Sequence, residues 1–143
     1  MAHMTITGFD DVDKMLAELV EKSGQIGIKA VDAAAPKLKE SARRAIHAAA
    51  NKGYATGRLE RSIEATKAKE NQWGAYSVIR PVGSNEKGVR YSEEAAYLEY
   101  GTARGQSPSP WRDKAIASAN SDCEQTMEDT VYDEVSKITG GLD

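Results

Sequence analysis

The chain has 143 residues, a formal net charge of −3, 40% hydrophobic residues and 29% charged residues. This composition is typical of one soluble globular domain and excludes a chain that is disordered throughout. The mild acidity argues against general nucleic-acid binding, which needs a basic surface. No apolar run approaches the roughly 18–20 residues of a membrane span, and no signal-peptide pattern is evident, so we expect synthesis and folding in a cytoplasm.

Cysteine and histidine are too scarce to predict a metal centre. Cys123 is the one cysteine, which excludes an intramolecular disulfide. Besides His47, the only histidine is His3, within Met1–Met4, a segment interpreted as a cloning scar. A structural zinc site needs several Cys or His ligands. The sequence therefore predicts no metal and no cofactor, and a single domain over residues 5–143.

The N-terminal part of the chain predicts two helices. Apolar residues at helical spacing over Asp10–Ser23 predict the first, and Gly24 is expected to end it. The second is predicted over Ile26–Ala50, with a kink at Pro36. Its apolar positions form a seam that favours close packing within the chain, with coiled-coil association as the alternative. The seam consists of Ile28, Val31, Ala35, Leu38, Ala42, Ala45 and Ala49.

The middle of the chain predicts a small antiparallel sheet. Ser62–Thr66 and Ala75–Ile79 have strand character, and the polar stretch Lys69–Gln72 between them predicts a hairpin. Gly83–Gly88 is a flexible loop by composition, and Val89–Tyr91 is expected to form a further short strand.

A last helix is predicted from Trp111 to Ile138, with Ser109 as its N-cap and Pro110 at its first position. The expected fold class is α+β: two N-terminal helices, an antiparallel sheet of about three to four strands, and a long C-terminal helix, packed together. The predicted apolar face of the last helix consists of Ile116, Ala119, Cys123, Met127, Val131, Val135 and Ile138.

Residues able to carry catalysis are few, and the sequence predicts that the protein is not an enzyme. His47 is interpreted as a helix-surface residue and Cys123 as a small core residue. Glu93, Glu94 and Glu99 are too common a pattern to indicate hydrolysis, although a small hydrolase using Glu99 with another carboxylate is one alternative.

One basic concentration allows a second alternative, a nucleic-acid-binding helical module. Acidic residues dilute this patch, and few aromatic residues are available to stack on bases. A solvated face or a contact with an acidic partner subunit explains it as well. The patch consists of Arg43, Arg44, Lys52, Arg58 and Arg61.

The two most specific segments of the chain are Tyr54–Ile63 and Ala95–Thr102. Together with a Pro-aromatic pair, they resemble the gene-product-ten-like tail-component family of long-tailed double-stranded DNA phages. The resemblance covers the order of the motifs and most of residues 10–138. Gly53–Ala55 departs from the family, in which many members have an Ala-Pro pair. The matching residues are Thr56, Gly57, Leu59, Ser62 and Ile63, then Tyr97, Glu99, Tyr100, Gly101 and Thr102, and then Pro110 and Trp111.

The resemblance implies a structural subunit of the virion neck or tail end, assembled in the cytoplasm of a bacterial host. Such subunits complete the tail or join it to the head, and they usually form rings, often hexamers. The implied partners are further copies of the chain, a tail-tube protein and a head connector or adaptor protein, with no membrane. The motif residues are expected to specify the fold or to form a subunit interface, with Lys69–Gln72 and the Gly83–Gly88 loop as contact elements.

Overall fold

The structure, a computed structural model, describes residues 8–50 and 57–140. The α+β class is confirmed, with a long N-terminal helix, a long C-terminal helix and short antiparallel strands between them. The first element is one continuous helix, α1 (Phe9–Ala50), about 60 Å long at 1.5 Å per residue. Asp10 and Asp11 lie in its first turn, where the helix dipole favours carboxylates. No described helix is long and apolar enough to cross a bilayer.

The predicted break between two N-terminal helices at Gly24 is therefore wrong. Gly24 and Gly27 are helical, and their missing side chains make room for the hairpin that lies against α1. A Cβ atom on Gly24 would collide with the carboxylate of Glu70, and one on Gly27 would lie 3.3 Å from the Cβ of Ala75. The glycines thus allow close packing of strands on a helix. The helix also continues through Pro36.

A short helix, α2 (Arg58–Arg61), leads into four strands that form two antiparallel pairs. The outer pair is β1 (Ile63–Ala65) with β4 (Ile79–Pro81), and the inner pair is β2 (Lys69–Asn71) with β3 (Gly74–Tyr76). This is the predicted hairpin, but Lys69 and its neighbours form a strand, so the turn itself is limited to residues 72 and 73.

The hairpin is interrupted between its two pairs by a bulge. Residues 66–68 on the first side of the hairpin lie opposite residues 77–78 on the second side. The first side therefore accommodates one extra residue. The backbone N–H of Ala68, in this bulge, donates a hydrogen bond to the Asp32 carboxylate of α1 at 2.8 Å. The helix therefore satisfies a backbone donor that the interrupted ladder leaves unpaired.

The Gly83–Gly88 loop has more internal structure than its composition predicts. Oδ1 of Asn85 accepts hydrogen bonds from the backbone N–H groups of Lys87 (2.8 Å) and Val89 (3.0 Å). The predicted strand at Val89–Tyr91 is reduced to a single bridge between Ser84 and Arg90, because Tyr91 already begins helix α3 (Tyr91–Tyr100).

The last helix, α4 (Arg112–Thr139), packs antiparallel to α1. Ser41 Oγ donates to the Ala115 carbonyl at 2.8 Å, and at the other end Lys29 Nζ donates to Glu134 at 2.8 Å. The small residues of α1 thus pack within the chain.

Two predictions for α4 need correction. Ile116 and Val131 are exposed, because Ala115 and Ala119 are the residues that face α1. The helix begins after Trp111, so Ser109 and Pro110 are neither its N-cap nor its first residue.

The hydrophobic core lies where α1, β1, α3 and the start of α4 meet. Ile46 and Ile63 are its fully buried large side chains. Leu59 and Ile79 pack against it from α2 and β4. The core thus joins both segments of the family resemblance to the second half of α1. Its buried members are Ala42, Ile46, Ile63, Ala95, Leu98, Trp111 and Ala115.

The lysines around Glu134 predict an acid-sensitive contact between the two long helices. Hydrogen bonds from Lys137 and Lys29 lower the pKa of Glu134 from 4.5 to about 2. Because the folded-state pKa lies below the unfolded value, the stability from this cluster is present above pH 4.5 and is lost as the pH falls towards 2. We expect the difference in unfolding free energy between the wild type and Glu134→Gln to shrink over that range, as measured by urea unfolding.

The matched control is Glu128→Gln on the same helix, because Glu128 is exposed and forms no ion pair with the described residues. The difference in unfolding free energy between Glu128→Gln and the wild type should not show the change expected for Glu134→Gln between pH 4.5 and 2. If both variants show the same pH dependence of the unfolding free energy, the ion pairs of Glu134 are not the source of the acid sensitivity.

Candidate functional site

The main candidate site is an open groove between the second half of α1, the Pro108–Pro110 segment and the start of α4. Its volume is about 600 Å³. We call it the basic groove. Its floor is made of small side chains from α1, so a partner helix or loop can approach the backbone closely. The lining residues are Ser41, Arg44, Ala45, Ala48, Ala49, Pro108, Ser109, Pro110, Lys114 and Ser118.

The charge of the groove is positive. Arg44 comes from α1 and Lys114 from the first turn of α4, and among the described residues no carboxylate lines the groove. Neither cation forms an ion pair within residues 8–50 and 57–140. Both side chains are exposed. The groove therefore suits an occupant with apolar side chains flanked by carboxylates.

Glu99 fixes the wall of the groove where α4 begins. Its Oε2 accepts hydrogen bonds from the backbone N–H groups of Trp111 (2.8 Å) and Arg112 (3.2 Å). The carboxylate satisfies donors at the helix N-terminus that the predicted Ser109 cap leaves unsatisfied. Ser109 instead donates its own N–H to the Leu98 carbonyl at 2.7 Å, which ties the Pro108–Pro110 segment to α3.

Gly101 allows the sharp exit from α3 that brings the chain to the groove. Its backbone has φ 75° and ψ −176°, a conformation essentially restricted to glycine. A Cβ atom there would lie 2.5 Å from the Gln106 carbonyl oxygen and 3.0 Å from Pro108. Thr102 closes the same loop, since its N–H donates to the Gln106 carbonyl at 3.0 Å.

The first motif lies on the other side of the same core. Gly57 has φ 70° at the start of α2, and Ser62 Oγ donates to the Leu59 carbonyl at 2.6 Å. Leu59 packs on the core and Ile63 is buried in it. Thr56 lies outside the described residues, as do Tyr54 and Ala55.

The aromatic residues of the second motif and of the Pro-aromatic pair differ in exposure. Trp111 is buried, and its Nε1 donates to the Ala95 carbonyl at 3.1 Å. Tyr97 and Tyr100 are exposed. Arg112 lies 5.7 Å from the ring centroids of both Tyr100 and Trp111 and donates to the Tyr100 hydroxyl at 3.3 Å. The two tyrosines therefore remain available for a partner, whereas Trp111 holds the fold.

The predicted basic patch does not form one free cationic surface. Arg43 donates to Glu40, to Glu64 and to the Ile63 carbonyl, and Arg58 pairs with Glu86 at 2.7 Å. Of the patch, Arg44 faces the basic groove, and Lys52 lies outside the described residues. Arg43 and Arg58 thus serve separate local contacts.

Two of the candidate catalytic residues, His47 and Cys123, lie far apart. His47 Nδ1 lies 2.7 Å from Glu60, whereas Cys123 lies beside Ala34, about 20 Å away along α1. Burial raises the pKa of the Cys123 thiol, which disfavours the reactive thiolate. In the described part of the chain, no group of three His, Cys, Asp or Glu side chains is placed to hold a metal ion.

The amino-acid sequence alone does not predict the basic groove. Arg44 and Lys114 are 70 positions apart in the sequence, and only the antiparallel packing of α1 and α4 brings them to one surface. The small residues Ala45 and Ala49 were predicted as a packing seam, and they are half-buried at the edge of the groove.

Comparison of the chain with protein-family models, with curated proteins and with solved structures found no match.

Proposed function

We propose that this protein is a non-enzymatic structural subunit of the neck or tail end of a long-tailed phage or prophage. In this role it completes the tail or joins it to the head, as a ring of identical copies. Its further partners are the tail-tube protein and a head connector or adaptor protein. The proposal originates in the two sequence motifs and their order along the chain.

The observation that supports the proposal most directly is what the motif side chains do. Glu99 binds the backbone at the start of α4, Ile63 and Trp111 fill the core, and Gly101 makes a turn that would strain a residue with a side chain. These motif side chains thus hold the backbone around the basic groove in place, which fits a subunit that works through its surface.

The surface also suits assembly. The basic groove and the exposed Tyr97 and Tyr100 give the chain partner-sized features. A ring requires that two different surfaces of each subunit meet, since a contact of one surface with itself closes as a dimer.

Deletion of the gene from the phage or prophage that encodes it tests the role. We expect heads and tails that do not join, or tails of uncontrolled length, in electron micrographs, with rescue by the wild-type gene supplied in trans. Joined particles of normal appearance and normal infectivity would overturn the proposal. If the deletion has the expected effect, light scattering on a sizing column, with negative-stain microscopy of the largest species, would give the number of subunits in the ring.

The nucleic-acid-binding alternative predicts a different result. It requires duplex DNA binding that weakens steeply as the salt concentration rises, because phosphate contacts release counterions. A gel-shift assay at two salt concentrations would detect that binding. We expect none at physiological salt.

A further inference from the structure

Among residues 8–50 and 57–140, the start of α1 extends past its contact with α4. The last turn of α4 contacts α1 between Glu18 and Lys29, where Glu134, Lys137 and Ile138 line a shared cleft with it. Because the two helices are antiparallel, most of residues 9–20 of α1 lies beyond that contact. We call this segment the arm.

The arm is amphipathic, and two of its apolar side chains are exposed. Val12 is 49% exposed and Leu16 is 54% exposed, and they lie one helical turn apart on one face. Four carboxylates and one lysine, Lys14, make the arm acidic. The carboxylates are Asp10, Asp11, Asp13 and Glu18.

The arm and the basic groove are complementary in chemistry. The arm presents Val12 and Leu16 next to carboxylates, and the groove presents alanine and proline surfaces flanked by Arg44 and Lys114. Apolar burial between them would supply affinity, and the opposite charges would set orientation and speed the encounter.

The two surfaces of one molecule cannot meet each other. Val12 and Ala45 are carried by the same unbroken helix, 33 residues apart, which corresponds to about 50 Å. Any docking of the arm in the groove must therefore join two molecules. Because the contact uses two different surfaces, it repeats from copy to copy.

We propose that the arm of one copy of this protein docks into the basic groove of a second copy. This inference rests on the proposed ring assembly and names the two surfaces that would form it. Each subunit then gives its arm to one neighbour and receives an arm from the other.

The test uses two variants of the full chain that each damage one surface. The arm variant is Val12→Ser with Leu16→Ser, and the groove variant is Arg44→Glu with Lys114→Glu. Each is expected to weaken self-association by at least about tenfold, since each removes apolar burial or charge pairing from every junction. The measurement is light scattering on a sizing column across a range of concentrations.

Mixing the two variants gives the decisive result. The groove of the arm variant is intact, and so is the arm of the groove variant, so one junction can still form. We expect a complex of two chains that does not grow further. A chain that combines Arg44→Glu and Lys114→Glu with Asp11→Lys and Asp13→Lys should regain self-association, because the charges are exchanged.

The controls change similar residues elsewhere on the surface. Val82→Ser removes an exposed valine after β4, and Lys67→Glu with Arg80→Glu reverses two exposed basic residues of the hairpin. Both should associate like the wild type, and circular dichroism should show that all variants are folded.

Three outcomes would overturn the inference. Arm and groove variants that associate like the wild type would exclude this contact while leaving the proposed neck or tail role intact. Wild-type chains that remain monomeric at every concentration would show that the contact does not form, and the deletion experiment would still decide the role. Loss of DNA binding in the groove variant, with self-association unchanged, would assign the groove to nucleic acid.

Discussion

Replacing Trp111 by alanine is expected to lower the unfolding free energy by about 3–5 kcal/mol, as is typical of a deleted core aromatic side chain. The indole is 7% exposed, packs in the cluster around Ile46 and Ile63, and donates a hydrogen bond to the Ala95 carbonyl. A loss of that size is a large fraction of the 5–15 kcal/mol that stabilises a typical domain. Urea unfolding followed by circular dichroism would measure it.

The chain offers a matched control for this prediction. Trp73, at the turn of the hairpin, is 84% exposed, so Trp73→Ala should change the unfolding free energy by less than about 0.5 kcal/mol. Trp111→Phe keeps most of the buried volume and should cost clearly less than Trp111→Ala. Similar losses for Trp73→Ala and Trp111→Ala would contradict the assignment of the core.

Gly101→Ala is the second substitution with a large expected effect. The backbone conformation at Gly101 alone costs about 1–3 kcal/mol for a residue with a side chain. The new Cβ would also meet the Gln106 carbonyl oxygen at 2.5 Å, so the turn after α3 has to open. We expect an unfolding free energy at least about 2 kcal/mol below that of the wild type, measured by urea unfolding.

Gly88→Ala separates the two contributions. Gly88 also has a positive φ, of 78°, but a Cβ atom there would meet nothing within 4 Å. It should therefore show the conformational cost without the clash, and a smaller loss than Gly101→Ala. If both variants lose the same stability, the close approach of Gln106 and Pro108 does not constrain the turn.

Local patterns in the sequence were enough to predict the fold class. Apolar periodicity identified the C-terminal helix and the helical character of the N-terminal part, although it divided α1 into two helices. The β-branched and aromatic residues on either side of a polar stretch identified the hairpin. These signals lie within one element or between neighbouring elements, so they need no knowledge of tertiary contacts.

The errors arose where distant residues decide the local structure. The sequence predicts that Gly24 ends a helix, but Gly24 lies inside α1. The hairpin packs against it, and the missing side chain leaves room for Glu70. The cap of α4 comes from Glu99, whose carboxylate satisfies the first N–H groups in place of Ser109. Ile116 was assigned to the apolar face of α4 by spacing alone, and a shift of one position exposes it.

The candidate site was predicted only in part. The motif residues around Glu99 and Gly101 were identified by resemblance, and their contacts show that they hold the start of α4 and the turn after α3. The basic groove depends on Arg44 and Lys114, which one sequence without a tertiary fold does not place together.

The contrast between the two tryptophans has an optical consequence. The chain contains two tryptophans, one almost fully exposed and one almost fully buried. The intrinsic fluorescence of the folded protein is therefore a sum of a red-shifted component from Trp73 and a blue-shifted component from Trp111. Substituting phenylalanine at position 73 leaves a single emitter beside the start of α4, which reports the state of the core and of the adjoining groove without an added dye.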